Sequence, residues 1–264
     1  MINIKKLSII ALVLLLIGVV GSLFTFSQVT NKETNTEEKS ISDEVTDVEV
    51  ISDNAAVEII PTTGTDTSIE LVSKGVDVSK LNFYADVEGK KLKVTLKDRR
   101  SFSIGFQIQS LHLKVYVPEK SYKSFVVKSD NGKVQMAELD IKSLNVESQN
   151  GRVELKDIIS EKVEVKSANG KVDLNNVEGN LIGSSNNGKI SLVTKDLDRN
   201  IQLESDNGKI MITTDKEPTN TTFDVHVDNG KIDILNKYEG NVVIGKGENL
   251  VKLETNNGKI EITK

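Results

Sequence analysis

From Val45 to the C-terminus, apolar and polar residues alternate in short runs, as at Val48–Val50, Ile69–Leu71 and Leu92–Val94, each bounded by Asp, Asn, Gly, Thr or Lys. A period of two sends successive side chains to opposite faces, so these runs predict half-buried β-strands. No stretch after Phe26 sustains the roughly 3.6-residue period of an amphipathic helix.

The N-terminus is patterned differently. Leu7 to Phe26 is apolar apart from Ser8, Gly18, Gly21, Ser22 and Thr25. As a helix, such a run of about 20 residues rises about 30 Å, the thickness of a bilayer's hydrocarbon core. Lys5 and Lys6 precede it, and flanking lysines stay on the cytoplasmic side. The pattern predicts a cytoplasmic tail over 1–6, a transmembrane helix over 7–26 and an extracellular remainder, which places the chain in the cell membrane. A signal peptide cleaved at Val19-Val20-Gly21 is the alternative, although its apolar stretch is ordinarily only about 7–15 residues. Residues 27–44 (SQVTNKETNTEEKSISDE) carry few apolar side chains and predict a flexible stalk, with a β-repeat domain over 45–264.

The second half of that domain repeats, with regular units from about residue 121. Asn-Gly followed by Lys or Arg recurs with its glycine at Gly132, Gly151, Gly170, Gly188, Gly208, Gly230 and Gly258, at intervals of 19, 19, 18, 20, 22 and 28. Aligned on the glycine, the second residue after it is Val134, Val153, Val172, Ile190, Ile210, Ile232 or Ile260, and the fourth is always aliphatic or Met. The third before it is Ser in five copies, then Val227 and Thr255. Each unit therefore reads as strand, Asn-Gly corner, strand, second corner. Asn-Gly suits a tight hairpin because both residues accept positive φ, which would give an up-and-down meander. A meander has no reason to repeat the flanking Ser, the following cation and the apolar offsets. A β-solenoid does, because each residue stacks about 4.8 Å above its equivalent. The expected fold is all-β, a solenoid of about 19–20-residue turns with stacked asparagines.

Leu111 to Val134 (LHLKVYVPEKSYKSFVVKSDNGKV) joins an alternating strand ending in Val117-Pro118 to the first Asn-Gly-Lys unit. With the trailing Asn-Gly-Lys-Ile units, it resembles the bacterial putative-adhesin β-strand-repeat family, a domain of unknown function. The short N-terminal tail and single anchor are similar to LiaG-type envelope proteins of Gram-positive bacteria. The resemblance spans roughly Val45 to Lys264. It implies a right-handed β-helix in an envelope setting, and no catalytic residues to carry over.

Composition narrows the chemistry. The net charge of −5, from 34 basic and 39 acidic residues, argues against nucleic-acid binding, and the absence of Cys excludes disulfides and thiolate sites. Gly183-Ser184-Ser185-Asn186-Asn187-Gly188-Lys189 imitates a phosphate-binding loop, but Ile190 stands where Ser or Thr is needed and a strand is expected next. His112 and His226 occupy polar-facing strand positions without companions at ligand spacing. The Asp-Asn-Gly triplets at Asp130, Asp206 and Asp228 lack the pattern of either calcium loop and read as turn chemistry. No cofactor or metal is expected.

Two features remain. Stacking would align Lys133, Arg152, Lys171, Lys189, Lys209, Lys231 and Lys259 into one cationic ladder, able to attract an anionic envelope polymer. Glu154, Asp173, Asp233 and Glu261 stand two residues further on, so the ladder reads first as a solvated, edge-protecting face and only second as a binding surface. Lys97 to Phe106 (KDRRSFSIGF) sets Phe102 and Phe106 beside Arg99 and Arg100, a loop able to touch a headgroup or partner unless the rings are core. The expected function is non-enzymatic: adhesion, scaffolding or sensing at the envelope, with membrane proteins or an anionic polymer as partners. An accessory role in an envelope-stress response and a β-helix enzyme acting on acidic polysaccharide are the rivals.

Overall fold

The computed structural model describes residues 34–99 and 110–264, together with Leu15. The expected tail, span and first part of the stalk lie outside these residues, as do Arg100, Phe102 and Phe106. Among the described residues no helix is long and apolar enough to cross a membrane.

The strands in chain order are β1 (Thr34–Ile41), β2 (Asp47–Ser52), β3 (Ala56–Thr62), β4 (Thr67–Lys74), β5 (Leu81–Glu88), β6 (Lys91–Asp98), β7 (Ser110–Pro118), β8 (Ser121–Ser129), β9 (Val134–Ser148) and β10 (Val153–Ile159). They continue as β11 (Lys162–Ser167), β12 (Val172–Val177), β13 (Asn180–Ser185), β14 (Ile190–Thr194), β15 (Ile201–Asn207), β16 (Ile210–Thr214), β17 (Thr221–Ile234), β18 (Val242–Ile244) and β19 (Asn249–Thr263).

The repeat units pair in parallel and in register. Val153 faces Val172 and Leu155 faces Leu174; Val172 then faces Ile190, which faces Ile210. Residues equivalent in the glycine alignment are thus stacked neighbours. This is the solenoid, and it excludes the meander, whose consecutive strands would run antiparallel. Inward Val, Leu and Ile from both flanks of each turn merge into one continuous buried column, with Val153, Val165, Val172 and Ile190 fully buried. Burial alternates along the straight runs of the core strands because the pleat does, and slips at the second corners inside β9, β10 and β12.

Stacking order departs from chain order at both ends. From one end to the other the turns are β6–β7, β2–β3, β8 with the first half of β9, the second half of β9 with β10, β11–β12, β13–β14, β15–β16, β19 and β17. At the N-terminal end β2–β3 is enclosed by the later β6–β7 turn. At the C-terminal end β19 slides between β15–β16 and β17, with Ile201 facing Val251 and Phe223 facing the same Val251.

Antiparallel strands close the ends. β5 pairs with β6 at one end, and β18 pairs with the start of β17 at the other. β4 lies antiparallel on β7, and β1 lies antiparallel on β4 from Thr34–Lys74 to Ile41–Thr67. Residues 34–41 are therefore a paired edge strand rather than free stalk. The segment is almost wholly exposed, so its ordering comes from the backbone bonds of β4 and not from apolar burial. Only Ile41 packs on the core, while Lys39 stands 4.5 Å over the Phe83 ring of β5 and donates to its carbonyl.

The corner glycines need a different explanation from the one their dipeptide suggests. None of the seven has a positive φ. A Cβ on Gly170 would lie 1.9 Å from the Gly151 carbonyl oxygen, and one on Gly208 would lie 1.9 Å from that of Gly188. Glycine is required because the corner of each turn rests directly on the corner beneath it. Left-handed residues occur instead at the second corner, where Glu138, Asp157 and Asn176 are stacked with φ of 57°, 52° and 52°.

Candidate functional site

The Asn-Gly corners form one edge of the solenoid, and four rows of side chains run along it. The innermost is the serine row. Ser148 Oγ accepts from the Gly151 N–H at 3.0 Å, and Ser205 Oγ donates to the Gly188 carbonyl at 3.1 Å. Thr255 does the same toward Gly208 at 2.9 Å. These hydroxyls satisfy corner backbone groups that the strands cannot reach.

Next comes an asparagine ladder. Asn131 Nδ2 donates to Asn54 Oδ1, Asn150 to Asn131, Asn169 to Asn150, Asn187 to Asn169 and Asn207 to Asn187, all at 2.9–3.0 Å. Asn257 continues onto Asn207 at 2.9 Å and Asn229 onto Asn257 at 3.2 Å. At the far end Asn54 donates to Asp98 Oδ2 at 3.0 Å. Asn54 belongs to a unit that the glycine search passes over. Ser52-Asp53-Asn54-Ala55-Ala56-Val57 matches Ser129-Asp130-Asn131-Gly132-Lys133-Val134, with Ala55 at the corner. A search on Ser-Asp-Asn rather than Asn-Gly would have found it.

The third row is the cationic ladder, and the structure brings all seven of its members into one line: Lys133, Arg152, Lys171, Lys189, Lys209, Lys259 and Lys231. The last two stand in reversed order because β19 is inserted. The fourth row, two residues on, supplies Glu154, Asp173, Glu261 and Asp233. Lys133 reaches Glu154 at 2.6 Å, and Arg152 reaches Glu154 at 2.9 Å and Asp173 at 2.7 Å. Lys171 pairs with Asp173 at 2.6 Å and Lys259 with Glu261 at 2.8 Å. The hydrogen bond that Arg152 donates to Asp173 holds its guanidinium above its usual range, against slight desolvation. Four of the seven cations are thus neutralised. Lys189, Lys209 and Lys231 have no ion pair among the described residues.

The remaining sequence candidates do not converge. His112 is exposed on β7, and exposed His226 lies 2.9 Å from the Asp228 carboxylate. Asp130, Asp206 and Asp228 lie on the third, seventh and ninth turns. Among the described residues no three His, Cys, Asp or Glu stand together as a metal site. Gly183 to Lys189 is an ordinary corner between β13 and β14, followed by a strand.

The family model described as Toastrack DUF4097 matches the chain over residues 45–178 and 133–263. A "putative cell adhesion protein" from Clostridium sporogenes ATCC 15579 is 15% identical, over 88% of this chain and 99% of its own, with a TM-score of 0.43. A "putative adhesin" from Bacteroides fragilis NCTC 9343 is 14% identical over 87% and 97%, with a TM-score of 0.46. A "putative lipid binding protein" from Parabacteroides distasonis ATCC 8503 is 15% identical over 89% and 98%, with a TM-score of 0.43. No curated protein matches the chain.

Proposed function

We propose, from the premise that the chain belongs to the Toastrack DUF4097 family, that it is a non-enzymatic, membrane-anchored scaffold that holds an anionic envelope polymer outside the cell. In this reading Leu7 to Phe26 is the anchor, the solenoid is right-handed, and the polymer lies along the corner edge. The observation that carries the reading is the single line of seven cations, three of which have no ion pair among the described residues. Their regular step of about 4.8 Å suits an extended polyanion better than a compact ligand. The stacked asparagines and glycines of the same edge are occupied in holding the turns together, which leaves Lys189, Lys209 and Lys231 as the groups placed to act.

The test uses the full chain in nanodiscs and a poly(glycerol phosphate) probe. Binding should weaken steeply as salt rises, because exposed charges are screened over about 10 Å at 0.1 M. The triple variant K189E/K209E/K231E should keep its melting temperature and lose binding. A folded triple variant that binds as well as the parent would reduce the ladder to a solubility device. Protease added to intact spheroplasts should digest the solenoid; full protection would overturn the topology.

A further inference from the structure

Between Glu154 and Asp233 the acidic row is interrupted at one place only. Along stacked turns it reads Glu154, Asp173, Ser191, Met211, Glu261 and Asp233, so two consecutive turns carry no acid. These are the turns of Lys189 and Lys209. Of the other five cations, four pair with a carboxylate of their own turn or the next, as Lys133 does with Glu154 and Arg152 with Asp173; the fifth, Lys231 on the outermost turn, has Asp233 two residues on and no ion pair among the described residues. For Lys189 both of those positions are neutral. For Lys209 the next turn offers Glu261, which is engaged by Lys259 at 2.8 Å. On the other side of the corner, Asp206 accepts from Asn256 at 3.4 Å. A second, independent observation falls in the same gap. Ser191 Oγ is shielded from solvent and, like Ser129 Oγ, Asn145 Oδ1 and Ser167 Oγ on other turns, has no hydrogen-bond partner among the described residues. An orphaned hydroxyl of this kind costs free energy unless something completes it.

We propose that Lys189, Lys209 and Ser191 form a site for one phosphate group, as a monoester or a diester. The two lysines belong to adjacent turns, about 4.8 Å apart along the axis. That step lets two ammonium groups straddle a single tetrahedral oxyanion, each at about 2.8 Å from a different oxygen. The Ser191 hydroxyl, two residues beyond Lys189 on the same turn, donates to a third oxygen. Exposed Val193 borders the gap on the far side, so the groups flanking the phosphate are apolar rather than acidic. The inference rests on the ladder reading and narrows it: the edge attracts polyanions along its length but seats phosphate at one point.

The decisive variant fills the gap without removing a cation. Ser191→Asp with Met211→Asp extends the acidic row through positions where Asp173 shows that a carboxylate is accommodated, so folding should persist. Full-length protein in nanodiscs is titrated with inorganic phosphate by 31P line broadening, and with poly(glycerol phosphate) and phosphate-free polygalacturonate by calorimetry. The first two separate a free-phosphate site from a polymer site. We expect S191D/M211D and K189E/K209E each to weaken phosphate-bearing probes by about tenfold or more. K133E/R152E should change them less than about threefold, since those cations are already paired. Equal losses from K133E/R152E and K189E/K209E would keep the ladder and overturn the gap site. No loss from either would overturn the ladder itself. Polygalacturonate binding that matches poly(glycerol phosphate), and is equally sensitive to the gap variants, would overturn the choice of phosphate.

Discussion

At the scale of single residues, the structure separates side chains that hold turns together from those that face outward. Asp198 is of the first kind. Its carboxylate accepts from the Thr219 N–H and hydroxyl at 2.9 and 2.7 Å, from the Asn220 N–H at 2.8 Å and from the Thr221 hydroxyl at 2.8 Å. It thereby ties the entry of β17 to the segment before β15. Burial pushes this carboxyl up, but the hydrogen bonds from Thr219, Asn220 and Thr221 more than offset it and leave it below its ordinary 3.8. A carboxyl depressed in the folded state contributes stability that is complete above its unfolded pKa and lost as pH falls through the folded value. Asp198→Asn should therefore cost about 2 kcal/mol at pH 7 and flatten the loss of melting temperature as pH falls below about 4. Parallel curves for variant and parent across that range would show that Asp198 does not carry the acid sensitivity.

At the scale of the repeat, glycine is a spacing device. Gly170→Ala would place its methyl 1.9 Å from the Gly151 carbonyl and 2.8 Å from Ser167 Oγ, forcing two turns apart. We expect a loss of about 3 kcal/mol, against less than about 0.5 kcal/mol for Gly240→Ala, where nothing lies within 4 Å. Equal unfolding midpoints for the two variants would refute the stacking account. The seven Asn-Gly units and their inward Val, Leu and Ile were legible in the sequence because stacking demands identity at each offset. The eighth asparagine unit was not, since Ala55 replaces the glycine and removes the search key. β1 was not legible either. Its side chains carry almost no burial signal, and the partner that orders it, β4, lies 26 or more residues away in register. The ladder was legible as a line of cations. Its gap was not, because which cations are neutralised depends on pairs between turns, such as Arg152 with Asp173, that only the structure places.

At the scale of the molecule, the two ends share one topology: the outermost turn is made by a segment that is not the last neighbour in sequence. The same register would suit either stacking order, so the glycine alignment carries no information about it. At the C-terminal end this makes β19 a keystone, in contact with β15, β16 and β17 at once. Deleting residues 249–264 should strip β17 of its partner. Hydrogen exchange should then show lost protection across β17 and the exposed edge of β15–β16, with β10 to β12 still protected. Retained protection in β17 would mean that it can dock directly on β15–β16.

The asparagine ladder gives this molecule a direction. Every amide points its Nδ2 toward the N-terminal end, so eight small dipoles are aligned head to tail, their positive end at Asn54 and their negative end at the Asn229 oxygen. The Asp98 carboxylate sits on the positive end, as an acidic side chain does at the start of a helix, and because it can only accept while ionised it sets the sense of the whole row. It also ends it. A second molecule stacked on the Asn229 end would bring its own Asp98 carboxylate, an acceptor, against the Asn229 oxygen, which is also an acceptor. The row that welds the turns into a solenoid is thus closed against welding solenoids into a filament.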